Sequence, residues 1–254
     1  MNNLIEEKIG VVFFHKNIEE IYSQKWIEKC INSILSQTLQ NFEIYELNYG
    51  GKDFSILKKF NPSQMLNFFS TDLLNHGEAL NFILDKAFED GCSRVFLTNM
   101  DDYYDLRRFE IQNNFLDSGY DLVSSDFCYI QEIEGTDQIV HQVGVKKHGS
   151  DLLKLLEKGL NPIAHPCVAM NKIFWQHNRY IPYEIPKEDM NLWIRGLKSG
   201  YKFWICDEIL LFYRLHEHQV TGNNLQVQTK VTPNPIEDKA NRGRSSKFVD
   251  PTLL

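Results

Sequence analysis

The chain has 254 residues, 43% hydrophobic and 24% charged, a globular balance with enough length to bury a large core in one α/β domain. A formal net charge of -7 argues against a nucleic-acid backbone as partner, which calls for a basic surface, yet leaves room for a nucleotide bound through a metal. The five cysteines, Cys30, Cys92, Cys128, Cys167 and Cys206, are odd in number and widely spaced, which suits free thiols of a reducing compartment and neither zinc spacing nor a disulfide framework. The opening MNNLIEEKIG lacks a basic n-region and an apolar h-region, and no segment reaches membrane-spanning length. The expectation is a cytoplasmic protein with no transmembrane segment, at most peripheral to a membrane.

Ile9 to Phe14 is a continuous apolar run and reads as a buried first strand, closed by His15, Lys16 and Asn17. Ile27, Cys30, Ile31, Ile34 and Leu35 recur at helical spacing and predict a helix over about 23–39. The run FEIYELNYGGKD then predicts a second strand. This order is a βαβ unit, so the two strands should be parallel and the crossover right-handed. Asn48 to Asp53 would lie at the carboxyl edge of the sheet, where Gly50 and Gly51 let a ligand approach the backbone or simply make a turn. A third strand is expected within 63–70, and a helix over 77–90 with Leu80, Ile83, Leu84, Ala87 and Phe88 inward and Gly91 as its stop.

That helix feeds into RVFLTNMDDYYD, where Val95, Phe96 and Leu97 have the character of a buried strand that halts at two carboxylates. Open α/β sheets bind ligands beyond the carboxyl ends of their strands, and hard oxygens there suit Mg²⁺ or Mn²⁺ shared with a substrate phosphate. The same pair would equally cap a helix starting near Tyr104. Leu106, Phe109 and Leu116 mark a helix ending at Gly119, Asp121 to Ser125 reads as a strand, and 127–145 as a hairpin turning at Glu134 and Gly135. A Leu-rich helix over 150–160 follows, with a Ser150 cap and a Gly159 stop. Pro186, Glu188 and Asp189 announce a further helix, with Met190, Trp193, Ile194 and Leu197 as its buried stripe and Gly200 at its end. Asp189 falls in the first turn, where the helix dipole favours an ionised carboxylate, whether it serves as a general base or only stabilises the helix. From Gly222 the sequence is polar with three prolines and cannot build a core of its own, so a domain over 1–221 is expected, followed by an extended or disordered tail over 222–254.

In order, these blocks resemble family-2 glycosyltransferases of the GT-A fold from Ile9 to about Thr221. The family's S-I-L-x-Q-T and F-E-I are met by Ser33, Ile34, Leu35, Gln37, Thr38, Phe42, Glu43 and Ile44, and its D-x-D-D by Asn99, Met100, Asp101 and Asp102. The late E-D, L-W-x-R, G-Y-K-F and Y-R-x-H are met by Glu188, Asp189, Leu192, Trp193, Arg195, Gly200, Tyr201, Lys202, Phe203, Tyr213, Arg214 and His216. The resemblance implies a Rossmann-like α/β fold, with a mostly parallel central sheet flanked by helices and a small antiparallel hairpin region. It implies an inverting, metal-dependent transfer of sugar from a nucleotide-diphosphate sugar donor to a hydroxyl of a sugar or glycoconjugate acceptor, and is compatible with a homodimer.

Carried over residue by residue, Asp101 is the primary ligand of Mn²⁺ or Mg²⁺, Asp102 its neighbour at the metal, and Asp189 the general base. His216 is a further metal ligand, with His218 its rival. Phe14, Asn48, Tyr49, Asn81, Asn99, Met100, His165, Glu188, Trp193, Arg195 and Arg214 make up the expected substrate-binding set. The chain departs from the family at Asn48 and Tyr49, where two aspartates are usual, at Leu80, where an arginine often stands, and at Asn99, in place of the first acid. Tyr49 can stack on a base but cannot accept its N–H as a carboxylate does. Two other classes compete with a transferase. A nucleotidyltransferase calls for a glycine-rich, basic loop after the first strand, which HKNIEE does not supply. A nucleotide-sugar-binding protein without transferase activity would explain the lost donor residues but not the retention of both Asp101 and Asp189.

Overall fold

The structure is a computed structural model that describes residues 7–73, 75–144, 150–184 and 187–217. Its first half is a parallel sheet built from strands buried on both faces. Strand β1 (Ile9–His15) is buried at every residue and lies between β2 (Glu43–Asn48) and β4 (Arg94–Thr98), parallel to each, while β3 (Leu66–Ser70) extends the sheet parallel to β2. Alternate residues serve opposite faces. Val12, Phe14, Leu47, Val95 and Leu97 pack under helix α2 (His76–Glu89), whereas Val11, Phe13, Ile44 and Phe96 pack under α1 (Gln24–Leu35) and α3 (Arg108–Asp117). Strands sandwiched this way read as unbroken apolar runs, which is why the sequence identifies them.

The second half is mixed. It contains β5 (Tyr103–Tyr104), β6 (Leu122–Ile133), β7 (Thr136–Val143), α4 (Ser150–Glu157), β8 (Ala169–Asn171), α5 (Lys172–His177), α6 (Glu188–Lys198) and β9 (Phe203–Arg214). The sheet runs β3-β2-β1-β4-β8-β6-β9-β5, with β7 hairpinned onto β6. Short β8 is antiparallel to both β4 and β6, so β6 and its parallel neighbour β9 point the same way as β4. The result is a mixed α/β fold whose central sheet is mostly parallel and flanked by helices. Within α6, Gly196 sits where a Cβ would come within 2.6 Å of the Phe174 ring. A mid-helix glycine costs about 0.5–1 kcal/mol relative to alanine, and here it lets an aromatic ring lie against the helix backbone.

Three expectations are corrected. The first helix stops at Leu35, not near 39, because Gln37 and Thr38 leave it to bind the segment after the aspartates. Gln37 donates to the Asp105 carbonyl (2.8 Å) and accepts from Phe109 N–H (2.9 Å), and Thr38 N–H donates to the Leu106 carbonyl (2.8 Å). Asp101 and Asp102 cap no helix: Tyr103 and Tyr104 form a strand instead, and α3 begins only at Arg108. The strand expected over 121–125 and the first hairpin arm are one strand, β6, with a bulge around Asp126. The turn expected at Gly50 and Gly51 is present, with Gly51 at positive φ, and a Cβ at Gly50 would lie 2.7 Å from the Asn17 side chain. Pro186, His218 and the tail from 222 lie outside the described residues, as does the Ser150 side chain.

Candidate active site

The register of β5 on β9 brings two distant motifs together. Tyr103 pairs with Phe212 in antiparallel sense, so continuing that register by two residues sets Asp101 opposite Arg214, with His216 just beyond. Arg214 N–H donates to Asp102 Oδ1 (2.8 Å), its Nε donates to the Asp101 carbonyl (2.9 Å), and His216 Nε2 lies 2.9 Å from Asp101 Oδ2. The His216 ring rests against Tyr22 and Trp26, 5.2 and 5.4 Å between centroids. Asp101 and Asp102 are only 7% and 2% exposed, and Asp102 Oδ2 is buried without a hydrogen-bond partner. Burial pushes the Asp102 carboxyl well above the usual carboxylate range and the charge of Asp101 adds to this, against the pull of Arg214 and Arg108.

Among the described residues, no three His, Cys, Asp or Glu side chains converge into a metal cage. The residues present nevertheless fit a divalent cation that shares its shell with a diphosphate. Asp101 offers a hard oxygen, His216 a nitrogen at the same spot, and two adjacent carboxylates with an orphaned buried oxygen form a place where added positive charge is favourable.

The second cluster gathers around the first turn of α6, at the same carboxyl edge. Asp189 Oδ2 accepts from the Asn161 amide (3.0 Å), which is itself fixed because Asn161 Oδ1 accepts from Ile163 N–H (3.1 Å). Burial raises the Asp189 carboxyl above its ordinary value, and burial likewise raises Glu188, whose Oε2 is buried without a partner. The rings beside this acidic pair carry no charge. His165 Nε2 and the Tyr180 hydroxyl share a hydrogen bond of 2.9 Å, the His165 ring lies 6.1 Å from Trp193, and His76 bridges to Phe14 at the end of β1, with centroids 6.2 Å from His165 and 4.8 Å from Phe14. Burial lowers His165 to about 4 and His76 to about 3, where His165 adds its repulsion. Both are neutral imidazoles at pH 7.

Other expected site residues are placed as follows. Asn99 lies at the end of β4, and among the described residues no hydrogen bond holds its side-chain amide. The Met100 side chain lies in the core, so this residue faces a ligand only through its backbone. Asn48 is buried and spends its amide on the Phe54 carbonyl (3.3 Å) and Gly50 N–H (3.1 Å), shaping the loop beyond β2. Tyr49 is half-buried next to it, with Lys16 Nζ 5.9 Å over its ring. Asn81 is clasped at both ends by the Tyr180 backbone (2.9 and 3.1 Å), and Arg195 pairs with Glu184 (2.8 Å) and the Arg179 carbonyl (2.7 Å). Tyr22, Trp26, His76, Asn161 and Tyr180 were not anticipated. Only the Tyr22–Trp26 spacing, four residues apart on the approach to α1, carried a sequence signal.

No family model matches the chain. In sequence it is similar to an uncharacterized glycosyltransferase of Methanocaldococcus jannaschii, 22% identical over 196 residues that make up 76% of this chain and 67% of that protein. In structure it is similar to TarS of S. aureus (residues 1–349, in complex with UDP), with TM-score 0.63, 16% identity and coverage of 82% of this chain and 60% of that one. The fold is that of the GT-A-like glycosyltransferases. The same TarS fragment in complex with UDP-GlcNAc matches with TM-score 0.62 and 16% identity over 84% of this chain and 60% of that one. A mannosyltransferase of Pyrobaculum calidifontis, in complex with GDP-Man and Mn²⁺, matches with TM-score 0.58 and 14% identity over 86% of this chain and 60% of that one. The chain thus spans about 60% of the length of these solved relatives and is glycosyltransferase-like in both sequence and fold. Among the described residues no helix is long and apolar enough to cross a membrane.

Proposed function

We propose that the chain is a metal-dependent inverting glycosyltransferase that moves a sugar from a nucleotide-diphosphate donor to a hydroxyl acceptor. The observation that carries this reading is the pairing of Asp101 with His216 at the same sheet edge as an Asp189 oriented by Asn161. Asp101 and His216 would hold the divalent ion, which when bound neutralises charge on the departing diphosphate. Asp189 would accept the proton of the attacking hydroxyl. As the acceptor oxygen bonds to the anomeric carbon, the bond from that carbon to the phosphate oxygen breaks on the opposite side, so configuration inverts. The neutral surroundings supplied by Tyr180, His165 and Trp193 keep competing cations from the base.

Two measurements test this. Turnover of UDP- and GDP-sugars with and without Mn²⁺ should show metal-dependent consumption of at least one donor; indifference to the ion across the panel would sink the metal assignment. NMR of the product should show the anomeric configuration opposite to the donor's, and a retained configuration would remove Asp189 from the role of base.

A further inference from the structure

We propose that Asp137, carried by the β6–β7 hairpin, is a positioning residue that neutralises Arg214 and thereby keeps the Asp101–His216 pair open to a cation. The inference rests on the metal reading above and deepens it. The hairpin turns at Glu134 and Gly135, both at positive φ, and most of β7 faces solvent. Asp137 departs from this, with a side chain only 6% exposed. Both its oxygens accept from the Arg214 guanidinium, one from Nη1 and the other from Nη2 at 2.9 Å, and Lys29 Nζ on α1 adds a third bond at 2.9 Å. The hairpin is fastened to α1 in parallel, because Trp26 Nε1 donates to Glu132 and Lys25 to the Gly135 carbonyl.

Arg214 is 1% exposed, lies 4.7 Å over the Trp26 ring, and touches the metal site through its backbone N–H on Asp102 and its Nε on the Asp101 carbonyl. A buried guanidinium that loses its carboxylate partner is strongly unfavourable and turns to the nearest alternative. Here Asp101 and Asp102, which Arg214 already touches, stand among the alternatives. An Arg214 drawn onto either one would compete with a divalent ion for the same oxygens. Asp137 removes that competition by satisfying the fork bidentately, and it fixes the strand end from which His216 is presented.

The test uses the full chain, with UDP or GDP as the nucleotide. Histidine side-chain ¹H–¹⁵N spectra of the metal-free protein, with His216 assigned through His216→Gln, report the position of the pair. Mn²⁺ titration followed by EPR reports its availability. Asp137→Ala should shift the His216 resonances and weaken Mn²⁺ by about 10-fold to 100-fold, the usual scale for a partner once removed from the metal. Asp137→Glu should restore most of both, and Glu134→Gln, which deletes a hairpin charge facing solvent, should change neither. A folded Asp137→Ala protein with an unmoved His216 signal and parental Mn²⁺ affinity overturns the proposal, as does an equal loss in Glu134→Gln. If Asp137→Ala does not fold, the isosteric Asp137→Asn decides by the same two readouts. Should the parent bind no Mn²⁺ with either nucleotide, the metal reading fails by itself, and the His216 resonance alone then decides the positioning role.

Discussion

The two acidic groups of the site live in opposite surroundings. Asp101 and Asp102 are packed among cations: Arg214 on both, Arg108 acting on Asp102 from below, and Lys29 one residue away through Asp137. Asp189 has none of these: it accepts from the Asn161 amide, and the Tyr180 phenol near it is bonded to His165, an imidazole kept neutral by burial. The contrast separates two tasks that carboxylates perform. Burial raises both Asp102 and Asp189, but at Asp102 fixed cations oppose the rise and favour the charged form that holds an ion, whereas at Asp189 no cation opposes it and proton affinity moves towards working pH.

The sharpest way to break the contrast is Asp101→Ala. It should abolish Mn²⁺-dependent donor binding in calorimetry with the fold retained by circular dichroism, because the Arg214 bond to the Asp101 carbonyl survives the substitution and the carboxylate lost is the one that meets His216. Asp189→Asn comes next. Turnover should fall by roughly 10²-fold or more, while calorimetric donor affinity stays near the parent value. A smaller effect is expected from Asn161→Ala. The lost bond favoured the ionised form of Asp189, so its pKa rises further and the acid limb of the rate–pH profile moves to higher pH; a stationary limb would show that Asn161 does not tune the base. The parent limb should itself lie above the usual carboxylate value of about 3.9, with activity lost as pH falls through it.

The smallest effect is on stability. His165 and His76 bind protons less readily folded than unfolded, so the unfolded chain gains protons below about 6.5 that the folded chain refuses. Stability from this source is complete above that value and declines as pH drops towards about 4. The melting temperature should therefore fall between pH 7 and pH 5, and His165→Gln should flatten that slope. An unchanged slope would mean His165 is charged in the folded state.

Much of the parallel half was legible because its signals are local. Apolar runs gave β1, β2 and β4, and stripes at helical spacing gave α1 and α2. The mixed half resisted because polar residues interrupt its pattern: Asp126 splits β6, and a strand of two residues, β5, is too short to carry a period. Asp101, Asp189 and His216 were legible as residues of an ordered series, but what positions them was not. Asp137 and Asn161 are single polar residues on a hairpin and in a loop, and nothing local distinguishes them from solvated neighbours. Ser33 and Gln37 were matched as motif letters, and their bonds to the segment after Asp102 supply the physical reason for them.

One consequence concerns biosynthesis. His216 reaches Asp101 across 115 residues, by way of a strand that emerges last from the ribosome among those described. The parallel sheet has all its strands well before that point, so an emerging chain carries the acidic half of the proposed ion site without the rest. Closing a loop of that length is slow relative to local contacts, and the ion can select only chains whose last strand has docked. Added Mn²⁺ should accordingly raise the yield of refolding without accelerating its earliest phase, which stopped-flow fluorescence of the tryptophans can separate.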